Sequence, residues 1–128
     1  MKFIDQLKEK AKQNKKTIVL PETSDMRTIE AAGKVLAEGI ANIILVGDKE
    51  DIMSRAGDID LSGASFVDPK NYEKFDEYVD AFVEMRRKKG MTEARAKELL
   101  LTNSLYFGCM MVKQDDADGM VAGAINAS

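Results

Sequence analysis

Phe75, Val79, Phe82 and Arg86 fall on one stripe of a 3.6-residue helix, so an arginine stands where another apolar residue is expected. Arg87 points elsewhere. A guanidinium held at a cleft wall would grip a phosphate through two parallel hydrogen bonds. One that merely snorkels from the stripe's end would favour the helix C-terminus. Spacing alone leaves both readings open. In Pro21-Glu22-Thr23-Ser24-Asp25-Met26-Arg27, a capping hydroxyl or carboxylate beside an arginine could orient an anion at a helix start. The alternative is plain capping with a local carboxylate–arginine pair. In Gly123-Ala124-Ile125-Asn126-Ala127-Ser128, Gly123 permits close backbone approach, Asn126 offers an amide and Ser128 a hydroxyl. These groups suit a phosphate cradle or a structural turn.

Other chemistry is excluded by residue type. With no His and a single cysteine, the chain cannot build His-based metal sites, Ser-His-Asp triads, Cys-His dyads or an internal disulfide. Neither GxxxxGK[ST] nor GxGxxG occurs, which removes the usual nucleoside triphosphate and dinucleotide fingerprints. Asp116-Ala117-Asp118-Gly119 fails as a calcium loop because Gln114 and Ile125 occupy obligatory ligand positions. Cys109 lies in the apolar run Phe107-Gly108-Cys109-Met110-Met111 without an adjacent base, so a buried, inert thiol is expected. The basic run at 86–89 follows a helix rich in acidic residues and reads as a solvated face. A net charge of −3 and a pI near 5.1 argue against nucleic-acid binding. The start lacks a signal-type apolar core and no stretch suits a membrane span, so a cytoplasmic protein without a membrane partner is expected.

The elements that must position these groups alternate. An amphipathic helix is expected over 2–14, with Phe3, Ile4, Leu7 and Ala11 on its apolar face. A short strand at 17–20 stops at Pro21, and Thr23-Ser24-Asp25 can cap a helix ended by Gly39. The run 40–46 reads as a strand buried on both faces, followed by a short helix at 48–56 and a weak strand at 64–67 closed by Asp68-Pro69. A helix from Tyr72 to the stop signal Lys89-Gly90 comes next, then an interior helix from Thr92 through Leu99 and Leu105 to about Val112. A small-residue strand at 120–124 leads to the end of the chain. This order predicts one α/β unit over residues 1–128, a parallel sheet with flanking helices in three layers. Ligands of such sheets bind beyond the carboxyl ends of the strands, which points to 21–27, 47–50, 68–71 and 123–128. The last strand resembles one cut at a strand-to-helix turn, so a fragment is expected.

TIVLPETSDMRT, GIANIILVGDKEDI, VDPKNYEKFDEYVDAFVEMRRKKGMT and DGMVAGAINAS, in this order and spacing, resemble the start of bacterial phosphate acetyltransferases. Phosphate butyryltransferases and the C-terminal part of some malic enzymes are similar. The resemblance implies reversible acetyl transfer between coenzyme A and inorganic phosphate, acetyl-CoA and acetyl phosphate being the acyl forms. It implies no metal and no resident cofactor, coenzyme A being a substrate. It further implies a homodimer of two-domain α/β subunits with an isocitrate/isopropylmalate dehydrogenase-like fold, of which this chain is the N-terminal part of the first domain. The family's E-x-R-x-x-K-G pattern places a coenzyme A or phosphate contact on Arg86, and its loop after D-G-x-V-x-G-A places substrate contacts on Gly123, Asn126 and Ser128. Asn126 stands where many members have histidine, and Ala127 where a hydroxyl residue is common. The family's catalytic base belongs to later segments, so no catalytic residue is transferred. The alternatives are a phosphate butyryltransferase, or a non-catalytic binding or dimerisation module derived from the same fold.

Overall fold

Ile18 and Leu20 face one way and Val19 the other along the strand Thr17–Leu20 (β1), yet all three are fully buried. The same holds for the strand Asn42–Val46 (β2), whose residues beyond exposed Asn42 are buried on alternate sides. Both faces of the sheet are therefore covered, which is why these strands are continuously apolar. A computed structural model shows the arrangement and describes Ile4 and residues 15–122.

The helix Met26–Glu38 (α1) begins at Asp25, whose carboxylate accepts from the Arg27 backbone N–H. It ends at Gly39, which takes the left-handed conformation that glycine adopts without steric cost. Asp48 caps the helix Lys49–Ala56 (α2) in the same way. The strand Ser65–Val67 (β3) leads into the 3-10 turn Pro69–Asn71, and the helices Phe75–Met85 (α3), Glu93–Thr102 (α4) and Ser104–Lys113 (α5) follow. The strand Gly119–Met120 (β4) completes a four-stranded sheet in the order β3-β2-β1-β4, with every pair parallel. Ile18, Leu20, Ile43 and Leu45 pack with α1 and α2 residues such as Ile29, Val35 and Ile52. Val19, Ile44 and Val46 pack with Tyr78, Val79, Phe82, Leu100 and Phe107 from α3 to α5. This gives helix, sheet and helix layers.

Several expectations need correction. The helix expected from Tyr72 to Lys89 ends at Met85, because the Arg86 N–H is shared between the Phe82 and Val83 carbonyls and the chain tightens into the 3-10 turn Arg87–Lys89. The single helix expected from Thr92 to Val112 is two. Asn103 donates its backbone N–H to the Leu99 carbonyl, closing α4, while its side chain accepts from the Leu105 N–H, opening α5. Nor is α5 covered all round: Phe107, Gly108, Met110 and Met111 are buried, but Cys109 lies on its solvent side, so the buried thiol is overturned. β2 begins at Asn42 rather than 40, and β4 begins one residue early at Gly119. Of the helix expected over 2–14, Ile4 alone is described, helical and packed against the α1–α2 core. The other residues of that segment, and residues 123–128, lie outside the described residues. Among the described residues, no helix is long and apolar enough to cross a membrane.

Candidate functional site

Because β1, β2 and β3 run parallel, the chain leaves all three at one edge, and the residues just past each strand meet there. Pro21, Thr23 and Ser24 follow β1, Gly47 and Asp48 follow β2, and Asp68 to Lys70 follow β3; together they border a hollow of about 290 Å³. Its far wall comes from the junction of α4 and α5, with Leu100, Thr102 and Ser104. Strand ends are tied across the floor. The buried Thr23 hydroxyl donates to the Val46 carbonyl at 2.6 Å, and the Gly47 N–H donates to the Val67 carbonyl at 2.8 Å. The polar residues Ser24, Asp48, Asp68, Lys70, Thr102 and Ser104 line the hollow together with apolar Pro21, Val46 and Leu100, the Thr102 hydroxyl itself donating to the Glu98 carbonyl. That mixture suits a ligand with an apolar body and polar substituents.

Gly47 has φ of +141°, where a side chain is strained. A Cβ there would stand 3.1 Å from the Thr23 hydroxyl oxygen and 3.2 Å from Ile52 Cδ1. Gly47→Ala is expected to cost about 1–3 kcal/mol and to displace the Thr23–Val46 tie. Urea unfolding of the two proteins checks the first, and the Thr23 and Val46 NMR signals check the second. An unchanged midpoint contradicts the strain.

The sequence-derived residues are placed unequally. Asp25 caps α1 and pairs with Arg27 at 2.7 Å. The hydrogen bond from Arg27 lowers the Asp25 carboxyl pKa, and the same bond raises that of Arg27. Both groups are thus engaged with each other, as plain capping requires, while neighbouring Thr23 and Ser24 line the hollow. Arg87 is paired with Glu84. Arg86 lies at the C-terminus of α3, half-buried, with its guanidinium carbon 5.7 Å from the Phe82 ring centre and 5.9 Å from that of Tyr106. It does not line the hollow. Gly123, Asn126 and Ser128 lie outside the described residues. β4 runs toward the same edge as β1, pairing Gly119 with Ile18 and Met120 with Val19.

Sequence reasoning missed the wall of Leu100, Thr102 and Ser104, which exists because Asn103 breaks the helix there. It also missed a polar cluster beneath α3. Asp116 accepts from the Lys74 ammonium at 2.6 Å and from the buried Tyr78 hydroxyl at 2.5 Å, while the Tyr72 and Tyr78 hydroxyls are 3.3 Å apart. Partial burial pushes the Asp116 carboxyl pKa up, but the bonds from Lys74 and Tyr78 outweigh it and hold the group below its ordinary value. Burial, followed by the bond to Asp116, raises the Tyr78 phenol pKa. Asp118 is engaged too, accepting from the Thr17 N–H at 2.8 Å.

The family model described as phosphate acetyl/butaryl transferase matches residues 2–128. The chain belongs to this family. The phosphate acetyltransferase of Thermoanaerobacterium thermosaccharolyticum is 50% identical over 128 residues, covering all of this chain and 39% of that protein. That of Acetivibrio thermocellus is 48% identical, covering all of this chain and 38% of that protein. Among solved structures, a phosphotransacetylase from Staphylococcus aureus matches with a TM-score of 0.78 and 38% identity, over 98% of this chain and 38% of the other. One from Streptococcus pyogenes matches with a TM-score of 0.79 and 34% identity, again over 98% and 38%. The chain thus spans about two-fifths of the length of the curated relatives it matches. These likenesses extend to the parallel sheet with its flanking helices.

Proposed function

We propose that this chain forms part of the coenzyme A and acyl phosphate cleft of a phosphate acetyltransferase, which moves an acetyl group reversibly between coenzyme A and inorganic phosphate. The carrying observation is Arg86. Arg27, Arg55, Arg87 and Arg95 each hold a carboxylate, whereas among the described residues Arg86 has no such partner and rests on two aromatic rings. A guanidinium so disposed keeps its hydrogen-bonding edge for an external anion. Family membership supplies the anions, phosphate and the phosphates of coenzyme A. In this reading Gly123, Asn126 and Ser128 extend the site from the end of β4. The chain belongs to the first of two α/β domains with an isocitrate/isopropylmalate dehydrogenase-like arrangement, in a homodimer. No metal or resident cofactor takes part.

The test uses the polypeptide carrying this chain at its full encoded length. Arg86→Ala is expected to lower kcat/KM for coenzyme A or phosphate roughly ten- to a hundredfold, the loss of one charge-assisted contact. Arg87→Ala, which removes only an exposed pair with Glu84, should change it little. Equal, small effects of the two substitutions would return Arg86 to a structural helix-end cation. Acetyl-CoA and butyryl-CoA compared side by side decide the acyl group, a butyryl preference overturning that part of the reading.

A further inference from the structure

We infer that Tyr106 is a positioning residue for Arg86, the inference resting on the reading of Arg86 as a phosphoryl contact. Arg86 is the residue that closes α3, four positions after Phe82, so their approach is local, whereas Tyr106 comes from α5. The Phe82 and Tyr106 rings lie 5.6 Å apart with 32° between their planes, and the guanidinium is within 6 Å of both. Phe82 is buried and fixed; Tyr106 is half-buried at the surface. Aromatic rings attract a guanidinium through their negative faces without using its in-plane N–H donors. Tyr106 thereby fixes the direction of Arg86 relative to α5. No carboxylate competes for those donors among the described residues, since Glu84 is held by Arg87 and Glu98 by Arg95. The bracket therefore acts on orientation rather than on charge. An arginine aimed this way presents two parallel N–H groups to one phosphoryl group, which a lysine cannot do.

The experiment compares Tyr106→Phe, Tyr106→Leu, Arg86→Ala and the double variant Arg86→Ala/Tyr106→Leu in the polypeptide at its full encoded length. Coenzyme A affinity is read by calorimetry, KM and kcat by steady-state assay, and the order of the Arg86 Nε–H by NMR without ligand. Tyr106→Phe keeps the ring and is expected to stay within about twofold of the parent in affinity. Tyr106→Leu is expected to weaken affinity roughly three- to tenfold, in KM more than kcat, and to loosen the Arg86 Nε–H. In the Arg86→Ala background it should add nothing. The inference is overturned if Tyr106→Leu leaves the Arg86 Nε–H as ordered as before, or weakens affinity equally with and without Arg86. If Arg86→Ala leaves coenzyme A affinity unchanged, the proposed function of Arg86 fails instead, while the ligand-free NMR signal still decides whether Tyr106 holds the side chain.

Discussion

Phe107→Ala is expected to remove about 3–5 kcal/mol of unfolding free energy, as deletion of a buried aromatic ring does. Phe107 is fully buried where α5 meets the sheet, its ring 5.7 Å from Tyr72 at 72° and 5.4 Å from Tyr78 at 47°. The substitution forfeits the burial of the ring, one edge-on and one tilted aromatic contact, and the packing around the void left behind. A domain holds only about 5–15 kcal/mol in total, so much of the margin would go. Urea unfolding followed by circular dichroism measures the loss, with Phe107→Leu as the milder comparison. A midpoint within experimental error of the parent's contradicts the central place given to this ring. The effect also reaches the site, because α5 supplies Ser104 to the hollow and Tyr106 to Arg86.

Asp116→Ala is expected to cost about 1–3 kcal/mol, chiefly because the buried Tyr78 hydroxyl loses its acceptor, while the partly exposed Lys74 ammonium regains water. Its pH dependence has a definite sign. The folded carboxyl titrates below its ordinary 3.8, so its contribution is present above that pH and is lost as the pH falls through the lowered folded value. Tyr78 works at the other end. Its phenol pKa is raised above 10.0 in the fold, so the neutral hydroxyl's contribution holds below pH 10.0 and is lost as the pH rises beyond it. Unfolding midpoints measured across both ranges should show an acid limb that flattens in Asp116→Ala and an alkaline limb that flattens in Tyr78→Phe. Parallel pH curves for parent and variants contradict the linkage.

Local signals in the chain were readable where a residue acts on its own neighbours. Asp25 capping α1, Gly39 ending it and Thr92 capping α4 are consequences of short-range chemistry, and the continuous apolar run of β2 announces a strand covered on both faces. The strand ends followed from parallel connectivity, so three of the hollow's borders were foreseeable. Its fourth was not. Asn103 reads as one polar residue in a helical pattern, and only its geometry shows that it closes one helix and opens the next. The Tyr78–Asp116–Lys74 cluster was equally hidden, because 38 and 42 residues separate the partners and nothing in the sequence pairs them. Cys109 illustrates a different difficulty. An apolar run on a surface helix does not say which of its residues faces out, and here the thiol does.

The two-residue length of β4 bears on the order in which the molecule comes together. β1 meets β2 through Thr17 and Asn42, a short closure, while Thr17 must find Asp118 across 101 residues. Loop-closure entropy grows with the logarithm of length, so the roughly fourfold longer loop costs about 1.2 kcal/mol more to close. It is also rewarded by fewer ladder contacts, Gly119 and Met120 against the four residues that β1 offers β2. The β1–β2–β3 ladder with α1 and α2 can therefore form as an early, local nucleus. β4 joins that ladder across the longer loop, where the Asp118 carboxylate accepts from the Thr17 N–H. The same imbalance makes the β1–β4 pairing the seam along which the sheet opens most readily.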